Sequence, residues 1–306
     1  MRIQQIIYAA SVFGLVTNLS ICNEPAMTPA PSKWMSALPD TKAIASLTIP
    51  GTHNSCALYE PVKGTAACQH LSIEKQLESG VRFFDVRCRH EGDLFSIYHG
   101  PVFQKQDFTG VVDRMKRFLN RNPSETLLVS VKEEHRPRNN SRSFEDTFRS
   151  LVEGDSVWGL GEDLPTLGDV RGKIVLLRRF NSSQSLGIDA TNWGHDGFFQ
   201  GRQLFVQDRF ELPNAALKWK IIERSLKHAG ESDSNRCIHL NYCSGYVKNL
   251  LGLPSITEIS TPINKKLLQY LAATKHRRLG CVVVDFTTPD IALATYQINF
   301  PSIRER

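Results

Sequence analysis

The 306-residue chain lacks the fingerprints of several large enzyme classes. It has no glycine-rich P-loop, no dinucleotide fingerprint, no HExxH helix and no GxSxG elbow. Those absences remove the commonest sequence routes to nucleotide, zinc-protease and serine-hydrolase chemistry. None of its seven cysteines forms a CxxC pair, so the ligand spacing of a structural zinc site is absent too. Basic clusters dense enough for nucleic acid are missing: 37 lysines and arginines against 31 acids leave +6, spread along the chain. That mild surplus suits an anionic surface or substrate. There is no internal repeat and no low-complexity tract. Beyond the first twenty or so residues, no apolar run is long enough to cross a bilayer.

What is present begins with a leader. Arg2 precedes an apolar stretch over 6–16, interrupted by Ser11 and Gly14, and Thr17, Asn18 and Ser20 follow. This is the pattern of a secretory signal peptide over residues 1–22, and the run is short for a membrane anchor. It implies a secreted, extracellular protein. In that compartment Cys56 with Cys68 and Cys237 with Cys243 are candidates for short-loop disulfides. Asn139 and Asn181 head N-glycosylation sequons.

Past a proline-containing lead-in at 28–32, apolar strand-like runs alternate with amphipathic stretches. The strands are expected at 44–49, 81–86, 94–98, 127–131, 174–177, 204–206, 237–240 and 281–286. Helical periodicity fits 108–119, 143–152, 213–227 and 265–273. Eight short buried-type strands with intervening helices predict an α/β fold, a closed but distorted TIM-type (β/α)8 barrel in a single domain over 33–300. The distortion is expected at Glu91-Gly92-Asp93, which is too short for a crossover helix and reads as a hairpin.

In such a barrel, functional groups follow strand C-termini. Reading those positions in order gives His53 and Asn54 in Leu47–Ser55 (LTIPGTHNS), then Asp85 and Arg87, His99, Lys132 with Glu133, Asp208, and Asp285. Two histidines and a cation suit in-line displacement at phosphorus. One imidazole takes a proton from the nucleophile, the other gives one to the leaving oxygen, and fixed positive charge stabilises the phosphoryl oxygens. Asp85 can equally be a structural acid paired with Arg82 or Arg87. His135 and His195 read as surface histidines and His239 as a core one. Trp34, Trp158, Trp193 and Phe198-Phe199 read as core or rim, with one or two available to a lipid interface.

The ordered motifs resemble the phosphatidylinositol-specific phospholipase C family of the X-domain type, closest to its small single-domain members. The segments that carry the resemblance are 33–40, 49–55, 76–87, 98–101, 122–126, 165–177 and 283–286. The resemblance implies that His53 is the general base on the inositol 2-hydroxyl and His99 the general acid on the diacylglycerol oxygen. Asp285 would orient His53, and Arg87 would bind the phosphate. Lys132 and Asp208 match positions that bind inositol hydroxyls, and Phe210 stands where a tyrosine stacks on the inositol ring. Products would be diacylglycerol and a 1,2-cyclic inositol phosphate, released at a membrane surface by a peripheral monomer.

Two departures matter. Calcium-dependent relatives carry an acid where this chain has Arg87, so no metal and no cofactor is expected. Those relatives share the His-Asn pair, with its Asn on the metal, which leaves calcium as a disfavoured alternative. Metal-independent relatives carry Asp where this chain has Asn54, which implies a less basic His99. Two other readings keep the barrel: a sphingomyelinase-D-like phospholipase, and a catalytically silent barrel that binds lipid or glycan.

Overall fold

The computed structural model describes residues 28–232, 236–250 and 252–301. The expected leader at 1–22 lies outside the described residues. Two 3-10 turns, Pro31–Ala37 and Ile44–Ser46, lead into β1 (Ile49–Thr52), α1 (Ile73–Glu78) and β2 (Phe83–Glu91). A hairpin of β3 (Leu94–His99) and β4 (Val102–Asp107) follows, then α2 (Phe108–Arg121), β5 (Leu127–Glu133) and α3 (Phe144–Val152). Next come β6 (Trp158–Gly159), α4 (Leu167–Val170), β7 (Ile174–Arg179), β8 (Ile188–Asp189), β9 (Gly197–Gln200) and β10 (Leu204–Asp208). The last third holds α5 (Ala215–Glu231), β11 (Ile238–Tyr242), β12 (Val247–Lys248), β13 (Pro254–Ser255), α6 (Thr257–Ala273), β14 (Cys281–Val284) and α7 (Pro289–Tyr296). Among the described residues, no helix is long and apolar enough to cross a membrane.

The main sheet runs β6-β7-β5-β2-β1-β14-β11-β10-β9, with β8 also paired to β7. Every ladder on that path is parallel except β9 with β10. This is a distorted TIM-type barrel. It differs from the expected closed barrel in one place. Among the described residues no ladder joins β6 or β8 to β9 or β10. Side chains fill that gap: Ala190 and Trp193 pack with Leu204 and Val206 in the inner core. The expected hairpin at Glu91 is present, with β2 and β3 antiparallel. Gly92 and Asp93 both have positive φ, 62° and 57°, as a tight hairpin turn requires. The run expected as a strand over 44–49 is instead a 3-10 turn, and β1 starts only at Ile49.

Strand alternation sorts the core into two layers. Phe83, Leu128, Val175, Leu177, Leu240, Tyr242 and Val283 face the barrel interior. Their neighbours Phe84, Leu127, Val129, Ile174 and Leu176 face the helices instead. Gly51 is required at the inner wall, because a Cβ there would stand 2.9 Å from Phe83 Cδ1 and 3.1 Å from Val283 Cγ2. The N-terminal side of the barrel is covered by Trp34, stacked on Tyr296 with centroids 5.5 Å apart. The buried Arg82 pairs with Glu125 at 2.8 Å, not with Asp85.

The expected disulfides are not formed. Cys56, Cys68, Cys88, Cys237, Cys243 and Cys281 are all free thiols. Cys237 and Cys243 flank β11 at opposite ends, roughly 20 Å apart along an extended strand, far beyond disulfide reach. Cys56 packs among the outer-layer residues, whereas Cys68 packs with Ala57 and Ile256.

Candidate active site

The alternation that builds the inner core also gathers the polar groups. Continuing the inward-facing series past Gly51, Phe83, Leu128, Leu177, Val206 and Val283 reaches His53, Asp85 and Arg87, Lys132 and Glu134, Arg179, Asp208 and Asp285. His53, Lys132, Glu134, Arg179, Asp208 and Asp285 stand at or just past strand C-terminal ends, whereas Asp85 and Arg87 lie within β2. Glu133 and Arg178 fall on the opposite parity. Arg178 is spent on the carbonyls of Leu186 and Phe180.

His53 Nδ1–H donates to Asp285 Oδ1 at 2.7 Å, which leaves Nε2 free. Asp285 is 1% exposed, at the end of β14. Gln69 locks the two strand ends together, donating to the carbonyls of His53 and Val284 at 3.0 and 2.9 Å. His99 ends β3, and its ring lies edge-on to His53 with centroids 6.2 Å apart. Its Nδ1–H donates to the carbonyl of Ala66 at 2.7 Å, so its Nε2 is also free. The Ala66 carbonyl is held in place because Glu60 gathers the backbone N–H groups of Gly64, Ala66 and Ala67. Burial, reinforced by the Arg87 charge, pulls His99 down to about 4.

Arg87 is aimed by two hydrogen bonds into Asp85 Oδ2, from Nε at 3.1 Å and Nη2 at 2.9 Å. Arg179 Nη1 stands 3.7 Å from the other carboxylate oxygen, and its guanidinium lies 3.4 Å over the Trp193 ring. Burial works against ionisation of Asp85, but Arg87 and Arg179 outweigh it and hold the carboxyl well below its usual range. Glu134 accepts from Lys132 Nζ at 2.7 Å and from the backbone N–H of Gly100 at 3.0 Å. It also lies 3.9 Å from Arg87 Nη1. Glu134 thus ties the His99 hairpin to Arg87 and Lys132. Burial opposes its ionisation, yet Arg87 and Lys132 hold it at about 2.

His53, Arg87, His99, Phe210 and Asp285 line one cavity of about 230 Å³, with Tyr246, Lys248 and Ile256 at its side. Lys132 and Asp208 are not on that lining. Lys132 is engaged by Glu134, and Asp208 accepts the Trp193 indole N–H at 3.0 Å. Asn54 is fully buried with φ 43°, and neither side-chain amide atom has a protein partner. Its backbone N–H donates to Asp85 Oδ2. Asp85 is therefore an acid of the site, paired with Arg87 and Arg179. His135 and His195 are exposed and His239 is buried, each as its sequence context implies. Glu134, Glu60 and Gln69 were not singled out from sequence, and Arg179 stands out there only together with Arg178, as an arginine near the inositol position. For Glu134 a signal existed, since it shares parity with Lys132.

Calcium takes six to eight oxygen ligands. Around Arg87 the carboxylates of Asp85 and Glu134 are already engaged by cations. The residues present do not fit that group.

The chain has clear relatives. The model of the family described as phosphatidylinositol-specific phospholipase C, X domain, matches residues 42–180. The 1-phosphatidylinositol phosphodiesterase of Listeria monocytogenes is 32% identical over 289 residues, covering 89% of this chain and 87% of its own. That of Staphylococcus aureus strain Newman is 28% identical over 282 residues, covering 85% and 89%. A solved pentafluoro-Phe-incorporated phosphatidylinositol-specific phospholipase C from S. aureus superposes with a TM-score of 0.77 at 26% identity, covering 88% of this chain and 98% of its own. The L. monocytogenes enzyme superposes with a TM-score of 0.73 at 28% identity, covering 89% and 99%. The chain belongs to the phosphatidylinositol-specific phospholipase C X-domain family.

Proposed function

We propose that this protein is a phospholipase C that cleaves phosphatidylinositol to diacylglycerol and a 1,2-cyclic inositol phosphate. The observation that carries the reading is the pair of imidazoles on one cavity wall, each with Nδ1 tied back and Nε2 free, beside a fixed guanidinium. His53 Nε2 takes the proton of the inositol 2-hydroxyl as its oxygen attacks phosphorus. Asp285 stabilises the imidazolium so formed. Arg87 pairs with the phosphoryl oxygens, whose negative charge grows in the transition state. His99, protonated once the phosphodiester is bound, gives its Nε2 proton to the departing diacylglycerol oxygen. Asn54 backs the site from below through its bond to Asp85. Arg179, Lys132 and Asp208 surround the inner wall as candidates for the inositol hydroxyls, and Phe210 offers an apolar face to the ring.

The lipid is reached at a membrane surface by a secreted, monomeric barrel spanning 33–300. Lys248 lines the cavity, and nearby Leu250 and Leu253 are exposed on the β12–β13 connection. A cationic and apolar rim of this kind suits an anionic bilayer. One S. aureus relative was solved in connection with modulation of its membrane binding. Among the described residues, no carboxylate cluster of the kind that holds magnesium supports the sphingomyelinase-D-like alternative. A binder with no chemistry has no use for paired free imidazole nitrogens.

The test is product identity. Purified protein given phosphatidylinositol vesicles should release cyclic inositol phosphate at the same rate with and without chelator. Release that stops in chelator and returns with calcium contradicts the proposed role of Arg87.

A further inference from the structure

The proposed reaction leaves one buried thiol beside the paired histidines without a task. Cys68 is fully buried, and its Sγ lies 3.7 Å from His99 Nδ1. On its other side stands the His53–Asp285 pair. One ligand atom each from His53, Cys68 and Asp285 falls within a mutual 4.8 Å. Among the described residues no other three histidine, cysteine or carboxylate groups come as close. A second observation points to a ligand there. Asp285 Oδ1 is taken by His53, but the buried Oδ2 has no ordinary hydrogen-bond partner. The weakly donating thiol of Cys68 stands beside this carboxylate. A buried carboxylate oxygen left this way is costly.

Nitrogen, sulfur and carboxylate oxygen together are a donor set for a borderline-soft divalent cation. Zinc bonds of about 2.0–2.3 Å define a tetrahedron with edges of roughly 3.3–3.8 Å, so small side-chain rotations close the set. The sulfur disfavours calcium and magnesium, which take oxygen. Thiolate and carboxylate cancel the two charges of the cation, which offsets the repulsion from nearby Arg87. The fourth position is left to the cavity.

We propose that His53, Cys68 and Asp285 form an inhibitory site for zinc or a zinc-like divalent cation, separate from any metal the reaction needs. The cation bonds to sulfur as the Cys68 S–H proton leaves to solvent. It takes His53 through Nδ1, whose proton passes to the free Nε2, and so draws Asp285 and the His53 ring apart and removes the oriented base. No oxidation state changes. One proton is released per cation, so apparent affinity falls about tenfold per unit drop in pH. Inhibition rests on the function proposed above, whereas binding does not.

The experiment uses the purified protein and two readouts. Cobalt(II) binding is followed by its thiolate-to-metal absorption band, and zinc affinity by competition with a chromophoric chelator. Activity on phosphatidylinositol vesicles is titrated with zinc in parallel. Wild type should bind one cation with a thiolate band, lose activity as it binds, and recover in chelator. Cys68→Ser and Cys68→Ala, each compared with its own metal-free activity, should lose the band and need at least about 100-fold more zinc for inhibition. Equal zinc sensitivity in wild type and both variants overturns the proposal, as does the absence of a Cys68-dependent band. An intact band in a protein inactive even without metal would leave the site standing and refute the phospholipase reading instead.

Discussion

Asp85 Oδ2 accepts two hydrogen bonds from Arg87, at 3.1 Å from Nε and 2.9 Å from Nη2, with no exposure of its own side chain. The carboxylate fixes where the guanidinium points, while Arg179 shares its other oxygen. Asp85→Asn keeps the shape and removes the charge. We expect kcat on phosphatidylinositol to fall by about 10²-fold, the scale of losing one oriented oxyanion partner. Two buried cations would also lose their counter-charge, at about 3–5 kcal/mol of stability. Steady-state kinetics and denaturant unfolding check both. A variant within threefold of wild-type kcat would show that Arg87 aims itself.

His99 supplies a pH prediction. Burial and the Arg87 charge pull it from 6.5 to about 4, so the free enzyme holds it neutral near pH 6 to 7. An anionic phosphodiester on Arg87 offsets the charge that suppresses its proton. Binding a non-hydrolysable inositol phosphodiester near pH 6 should therefore take up close to one proton. Calorimetry in buffers of different ionisation enthalpy measures this, and His99→Asn should abolish the uptake. The sign for stability follows. The folded pKa is depressed, so the contribution of His99 is complete above about 6.5 and is lost as pH falls through about 4. His239, pulled to about 3 chiefly by burial, adds in the same direction.

The rim makes a prediction about lipid rather than chemistry. Leu250→Ser with Leu253→Ser should cut activity on vesicles by roughly tenfold or more, in line with the lost burial of two leucines. Activity on a soluble short-chain phosphatidylinositol should stay within about twofold. Equal losses on both substrates would place these residues in folding or catalysis.

Lys218 is fully buried on α5, and its ammonium donates to the Arg209 carbonyl at 2.5 Å, one residue before Phe210. It anchors the segment that brings Phe210 to the cavity. Lys218→Met should raise KM by about fivefold with little change in kcat, the scale of one net hydrogen bond. Burial pushes Lys218 down from 10.5 to about 8, so the unfolded chain holds that proton more tightly. The wild-type fold gains stability as pH rises from 8 toward 10.5, and the variant should lack that slope.

Much of the barrel was legible because strand and helix periods survive in single runs such as β5, β7, α2 and α3. His53 and Asp285 were legible for the same reason, since each follows an apolar strand, and Arg87 because it continues the apolar start of β2. Glu134 hid behind Glu133, and only the parity of β5 separates them. Arg179 hid beside Arg178 on β7 in the same way. The thiols misled because sequence separation is a poor guide to distance: Cys237 and Cys243 are held apart by the strand between them. Asn54 remains a buried amide without side-chain partners, and no residue pattern announces that.

The central claim is that His53 and His99 divide the reaction as base and acid. It is tested most directly by changing the leaving group. On phosphatidylinositol, His53→Ala and His99→Ala should each lose about 10³-fold or more in kcat/KM. On an inositol phosphodiester with a nitrophenyl leaving group, which departs without protonation, His99→Ala should recover to within about tenfold of wild type while His53→Ala stays inactive. Equal losses for His99→Ala on both substrates would contradict the account.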